Sequence, residues 1–236
     1  MTTPQQMRDK NIALLNQRGF KPATWMPLPA AVGDVSEETG FAGGTLRPEM
    51  EIATRLLCHC AVFAWGSAPS EFEQRVTQFI TNNELRRSMT DSELHIIDLS
   101  MDDARADYAH LVGWRLENMW SLAWILGVAE EPSATNGQLS EETSGALLSL
   151  FLPGFTATAE SLLSQGQTQS VETVIEMEDR FYLAHNAVRS GQLGKAGMLP
   201  DDFDPVADGG AIHERRHSLT WSLAPEAEWD ETDLST

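Results

Sequence analysis

Basic side chains are scarce: the 236 residues hold 16 Lys and Arg against 35 Asp and Glu, for a formal charge of −19. A field of that sign repels nucleic acid and anionic membranes and speeds encounter with a basic protein. Cysteine is scarce as well. Cys58 and Cys60 lie two residues apart in RLLCHCAVFAW, a spacing that suits neither a disulfide framework nor one face of a helix. Successive helical residues point about 100° apart, so Cys58, His59 and Cys60 do not converge on one ion, and both thiols are expected as small buried hydrophobes. Long apolar runs are missing too. Met119–Ala129 and Ala146–Phe155 are the longest, and each falls short of the roughly 20 residues needed to cross a bilayer. The first residues lack the basic-then-apolar order of an export signal. The expectation is a cytoplasmic protein without a membrane partner.

What is present is ordinary for a folded chain, with 42% apolar and 22% charged residues. The negative charge is uneven. Residues 91–236 carry seven basic side chains against twenty-six acidic ones, while the first 90 residues balance at nine each. Helix signals recur along the chain. Thr3-Pro4 opens a first helix that Gly19 stops, and Arg47-Pro48 opens a second running to about Trp65. Ser70 with Glu73 and Thr90 with Glu93 have capping-box spacing, predicting helix starts near 71 and 91. Ser100 begins the longest candidate, which continues to about Gly127. It carries Leu111, Trp114, Met119, Trp120, Leu122, Trp124, Ile125 and Leu126 over most of its circumference, as a buried central helix would. Ser140 and Ser170 open two more helices, the former stopped by Pro153-Gly154. The Pro- and Gly-rich stretch 21–46 reads as a long ordered loop over the core, and 222–236 as an acidic C-terminal segment. The fold class is all-α: one multi-helix domain over residues 1–236 around a Trp-rich helix, with room for a few short strands in loops.

Few patterns carry chemistry. There is no G-x-S-x-G elbow and no P-loop, and GFAGG at 40–44 lacks the flanking strand and helix of a phosphate cradle. PDDFDPVADGG at 200–210 matches an oxygen-ligand cation loop only in part, because no glutamate stands at its twelfth position. His213-Glu214-Arg215-Arg216-His217 does fit the H-E-x-x-H pattern of zinc peptidases, which supplies two ligands and a general base. A third ligand is lacking at the spacings such enzymes use, since Thr220 and Leu223 stand where a glycine and a histidine belong. Two arginines beside a supposed Zn²⁺ would also oppose it. No metal or other cofactor is expected.

Four blocks, LRPEMEIATRLLCHCAVFAW, WRLENMWSLAWILG, EMEDRFYLAHNAVRSGQ and HERRHSLTWSLAPEAEWDETDLST, come in an order and spacing that resembles the domain of unknown function 4272 family. The resemblance spans about residues 8–236 and implies one continuous domain, with no activity or catalytic residues attached. In its last block it picks out Glu214-Arg215-Arg216, Trp221 and Trp229-Asp230. It leaves His213 and His217 aside.

Charged residues inside apolar helices then become the candidate site. Arg47, Glu51 and Arg55 are spaced to share a helix face, and Arg115 and Glu117 sit in the Trp-rich segment. His185 lies on a further helix. Together with Glu214, Arg215, Arg216 and Trp221 these are expected to form a partly buried cluster, for example Glu51 and Glu117 facing Arg215 or Arg216, that holds the C-terminal segment in place. The acidic residues Asp201, Asp202, Asp204, Asp208, Glu228, Asp230 and Glu231 are the candidates for binding a partner. Two functional classes follow. One is a non-enzymatic acidic protein masking a basic partner, as an immunity protein masks a nuclease-like toxin; the other is an enzyme using Glu51, Glu117, His185 and Glu214.

Overall fold

A computed structural model describes residues 3–28, 44–152 and 154–236, and in these it shows ten α-helices and no strand. The caps read from sequence set most of the boundaries. The Thr3 hydroxyl accepts from Gln6 N while the Gln6 side chain returns to Thr3 N, and α1 runs Pro4–Gln17. Gly19, at φ +86, then turns the chain as only glycine does cheaply. Next come α2 (Glu49–Ser67), α3 (Glu73–Asn82), α4 (Asp91–Ile97), α5 (Met101–Val112), α6 (Arg115–Ile125) and α7 (Glu141–Leu148). The last three are α8 (Ala159–Leu163), α9 (Val171–Gln192) and α10 (Ala207–Ser222).

Three expectations need correction. The capping box at Ser70 does not form, because Ser70–Phe72 is a 3-10 turn entered from Pro69 and α3 begins only at Glu73. The long helix from Ser100 breaks at Gly113-Trp114 into α5 and α6, which leaves Leu111 exposed. No short strands occur among the described residues. Of the predicted loop at 21–46, residues 21–28 and 44–46 are indeed non-helical, whereas 29–43 lie outside the described residues, as do most of GFAGG and Pro153. No helix in the described residues is long and apolar enough to cross a membrane.

The chain's contacts gather into two compact units. The first is Met1–Arg47, Pro132–Gln138 and Gln169–Thr236; the second is Pro48–Glu131 and Leu139–Thr168. In the second unit the axis is α2, against which α3, α4, α5, α6 and α8 all pack, so the Trp-rich α6 is a neighbour of the central helix. The reason is composition: from Ile52 to Gly66 α2 is buried on nearly every side, Cys58 and Cys60 included, both as free thiols. Gly127 closes α6 at φ +74, and a Cβ there would stand 2.2 Å from the Gln167 carbonyl oxygen. In the first unit α9 packs on α1 and α10. Gly209 lets α10 approach α9, since a Cβ would lie 2.5 Å from Val188 Cγ1.

Candidate functional site

The first unit brings a line of polar side chains together between α9 and α10. On α9, Glu178, Tyr182 and His185 fall at i, i+4 and i+7, one helical face. On α10, Arg216 and Thr220 stand one turn apart and meet that face. Arg216 Nε lies 3.4 Å from Glu178 Oε1, and its Nη1 donates to His185 Nδ1 at 2.8 Å. Its remaining donors reach the carbonyls of Leu234 (2.9 Å) and Ser235 (3.3 Å), and its guanidinium lies over the Tyr182 ring at 4.7 Å. Because arginine only donates, His185 Nδ1 accepts and the ring carries its proton on Nε2. Burial, then the positive charge of Arg216, hold the His185 pKa down to about 3. Burial lowers that of His213 too, whose ring meets His185 edge-on at 5.2 Å.

Glu178 is the unusual member. It is 3% exposed, and its Oε1 accepts from Thr220 Oγ1 at 3.2 Å as well as from Arg216. Its Oε2 is buried with no hydrogen-bond partner. Burial pushes the carboxyl above the usual range, and the nearby Arg216 offsets this only in part. Glu178 also lines a cleft of about 800 Å³. Pro27, Leu28, Leu223, Ala224 and Pro225 make its walls apolar, and Glu226, Glu231 and Asp233 add carboxylates. Arg216 is the one cation among the described residues lining it. Asp233 accepts from Ser235 N at 2.9 Å, which holds its carboxyl below the usual range and keeps it ionised.

A second buried pair supports the cleft wall. Arg8 on α1 binds Asp179 (2.6 Å) and donates to the carbonyls of Met26 (2.9 Å) and Pro27 (3.0 Å), which fixes the segment that carries Pro27. Asn11 donates to the other Asp179 oxygen at 2.9 Å.

The residues singled out by sequence divide between the units. In the first, Arg47 donates to the carbonyls of Trp221 (2.9 Å), Ala224 (2.7 Å) and Ala227, and lies over the Trp221 ring at 4.1 Å. A cation thus sits at the C-terminal end of α10, where the helix dipole favours one. Arg215 and Arg216, adjacent in sequence, take different partners: Arg215 is fully buried and donates to the carbonyls of Ser133, Asn136 and Gly137 at 2.5–3.1 Å. Glu214 is half-buried on the same helix. His217 stacks on Trp229 at 4.1 Å and donates from Nε2 to its carbonyl at 2.9 Å, so its partners differ from those of His213. No group of three His, Cys, Asp or Glu side chains able to hold a metal ion occurs among the described residues.

In the second unit, Arg55 and Arg115 converge on Glu93, a residue marked in sequence only as a cap. Arg115 Nη1 is 3.1 Å from Glu93 Oε1 and 3.3 Å from His59 Nδ1, while Arg55 binds Oε2. Glu93 also accepts from Thr90 N at 3.0 Å, closing the predicted capping box. Glu117 is buried and accepts from Leu139 N at 3.0 Å; Glu51 is exposed. Of the partner candidates, Asp201, Asp202, Asp204, Glu228, Asp230 and Glu231 are exposed and Asp208 is half-buried. Asp204 and Asp208 also have local work. Asp204 Oδ1 accepts from Val206 N and Ala207 N, and the Asp208 carboxylate accepts from Asp204 N, ordering the start of α10. Sequence reasoning passed over Glu178, Asp179 and Glu93. The heptad spacing of Glu178 and His185 was the signal available for the first.

The protein is therefore an all-α helical protein with buried ion pairs and an acidic cleft. Over residues 7–232 the chain matches the family described as Domain of unknown function (DUF4272), and it belongs to that family. No curated protein and no solved structure matches it.

Proposed function

We propose that this is a non-enzymatic acidic binding protein that masks a basic protein partner, in the way an immunity protein neutralises a nuclease-like toxin. One observation carries the reading: over residues 201–236 eight of the ten carboxylates are exposed and both arginines turn inward. Arg215 is 0% and Arg216 3% exposed, whereas Asp201, Asp202, Glu226, Glu228, Asp230, Glu231 and Asp233 are all exposed. The surface over this stretch is thus more negative than its sequence count conveys, which favours fast, salt-sensitive association with a basic surface. The enzyme reading asks for a group that exchanges protons near neutral pH. His185, bonded to Arg216 and neutral down to about pH 3, is poorly matched to that task.

The test is capture on the immobilised full chain from lysate of the native host, followed by reconstitution of the captured protein in pure form. A basic protein binding one-to-one, released by moderate salt and losing its own activity at one equivalent, is the expected result. No stoichiometric partner, or one whose binding ignores salt, overturns the reading.

A further inference from the structure

We infer that the cleft of about 800 Å³ in the first unit receives an arginine side chain of the basic partner, its guanidinium held by Glu178 and by the carboxylates of Glu226, Glu231 and Asp233. The inference rests on the basic-partner reading and adds where and how that partner is gripped. Two independent observations support it. The first is the lining itself, apolar at Pro27, Leu28 and Leu223, where a methylene stem packs, and anionic at four carboxylates, where a cation belongs. The second is Glu178, 3% exposed with an oxygen that no protein group satisfies. A buried acceptor left in that state is costly, and a charged donor is the group that relieves it best. Guanidinium fits better than ammonium, because its planar fork engages two carboxylates at once and is only weakly hydrated. Trp25, 79% exposed and two residues before Pro27, offers a large aromatic surface on the same segment as the cleft wall.

The environment of Glu178 gives the binding a second signature. Facing it are Arg216 and Thr220 from α10 and Asp179 and Tyr182 from its own helix, with Arg8 of α1 beyond Tyr182. Burial raises its carboxyl in the free protein. An entering guanidinium favours the ionised form, so binding releases a proton and tightens as pH rises through the titration of Glu178.

The experiment titrates the full chain with N-acetyl-arginine methylamide and its citrulline analogue at low salt, followed by calorimetry or NMR. Comparison is made with two charge-matched double variants, Glu178→Gln/Glu231→Gln in the cleft and Asp107→Asn/Glu172→Gln away from it. A third variant, Glu226→Gln/Glu231→Gln, changes exposed residues only and keeps the test valid should the Glu178 substitution disturb folding. The expected result is at least a tenfold loss of arginine binding in both cleft variants, less than twofold in the control, and no binding of citrulline. Equal binding by cleft and control variants overturns the cleft assignment and leaves the basic-partner reading standing. No arginine binding even at low salt overturns the cleft assignment, while the basic-partner reading stands or falls on the capture experiment.

Discussion

Arg216 and Glu178 meet across the α9–α10 contact with Nε 3.4 Å from Oε1 and each side chain 4% exposed, yet the pairing is incomplete. The guanidinium also serves His185, Leu234 and Ser235, and one carboxylate oxygen is left unmatched. Attraction from a shared cation does not recover the full desolvation cost of a buried carboxylate, which is why this carboxyl is raised where the neighbouring group of an ideal ion pair would be lowered.

His185 makes the first unit sensitive to acid. Its folded pKa of about 3 lies below the ordinary 6.5, so between those values the unfolded chain binds more protons and stability rises with pH. Stability linked to His185 is complete above pH 6.5 and is lost as pH falls toward 3. Urea unfolding at pH 7.5 and pH 5 should differ by about 2 kcal/mol from this group, and His185→Asn should shrink the difference. An unchanged pH dependence in the variant would refute the assignment. Glu178 works in the opposite sense, favouring the folded state most at low pH, and His213 in the same sense as His185, so the His185→Asn variant is what isolates the His185 contribution.

Glu93 should dominate the second unit. It is fully buried beneath Arg55 and Arg115, and Glu93→Ala leaves two inward guanidiniums uncompensated. Removing one partner of such a pair costs about 3–5 kcal/mol. The exposed pair Arg86–Asp98, 51% and 61% accessible, should yield less than about 1 kcal/mol on Arg86→Ala. Denaturant midpoints compare the two; similar losses would remove the argument from burial.

The cysteines should resist alkylation. Burial pushes the Cys58 thiol up to about 12 and raises Cys60 as well, so neither supplies thiolate near neutral pH. A thiol reagent at pH 8 should label neither in the native protein and both after denaturation. Rapid labelling of the native chain would show that α2 opens.

Two glycines should respond in opposite directions. Gly127→Ala places a Cβ 2.2 Å from a carbonyl oxygen at a positive φ, and should cost about 1–3 kcal/mol or more. Gly113 has helical φ of −57 and open space around its missing Cβ. Gly113→Ala should therefore stabilise by roughly 0.4–1 kcal/mol through the unfolded chain. Thermal unfolding of both variants decides it.

Local signals in the sequence proved more legible than distant ones. Thr3, Thr90, Ser140 and Ser170 all cap helices, because a cap depends on residues within one turn. Ser70 shared their spacing and failed, since Pro69 leads into a 3-10 turn before the helix proper. Gly113 ended a helix that apolar periodicity alone would carry through, as alternating Trp and Leu look the same on either side of a break. The charged site was only partly visible. Arg55, Arg115, His185 and Arg216 stood out as charges among apolar neighbours, whereas their acidic partners resembled solvated helix surface. Glu93 lies 38 residues from Arg55, and Asp179 lies 171 from Arg8; nothing local distinguishes such carboxylates from the many exposed ones.

Arg215, holding the carbonyls of Ser133, Asn136 and Gly137, fastens a short stretch of chain that leaves the second unit and then re-enters it. Neither unit is therefore encoded as one uninterrupted gene segment. A recombination event with a single crossover cannot exchange one whole unit for another.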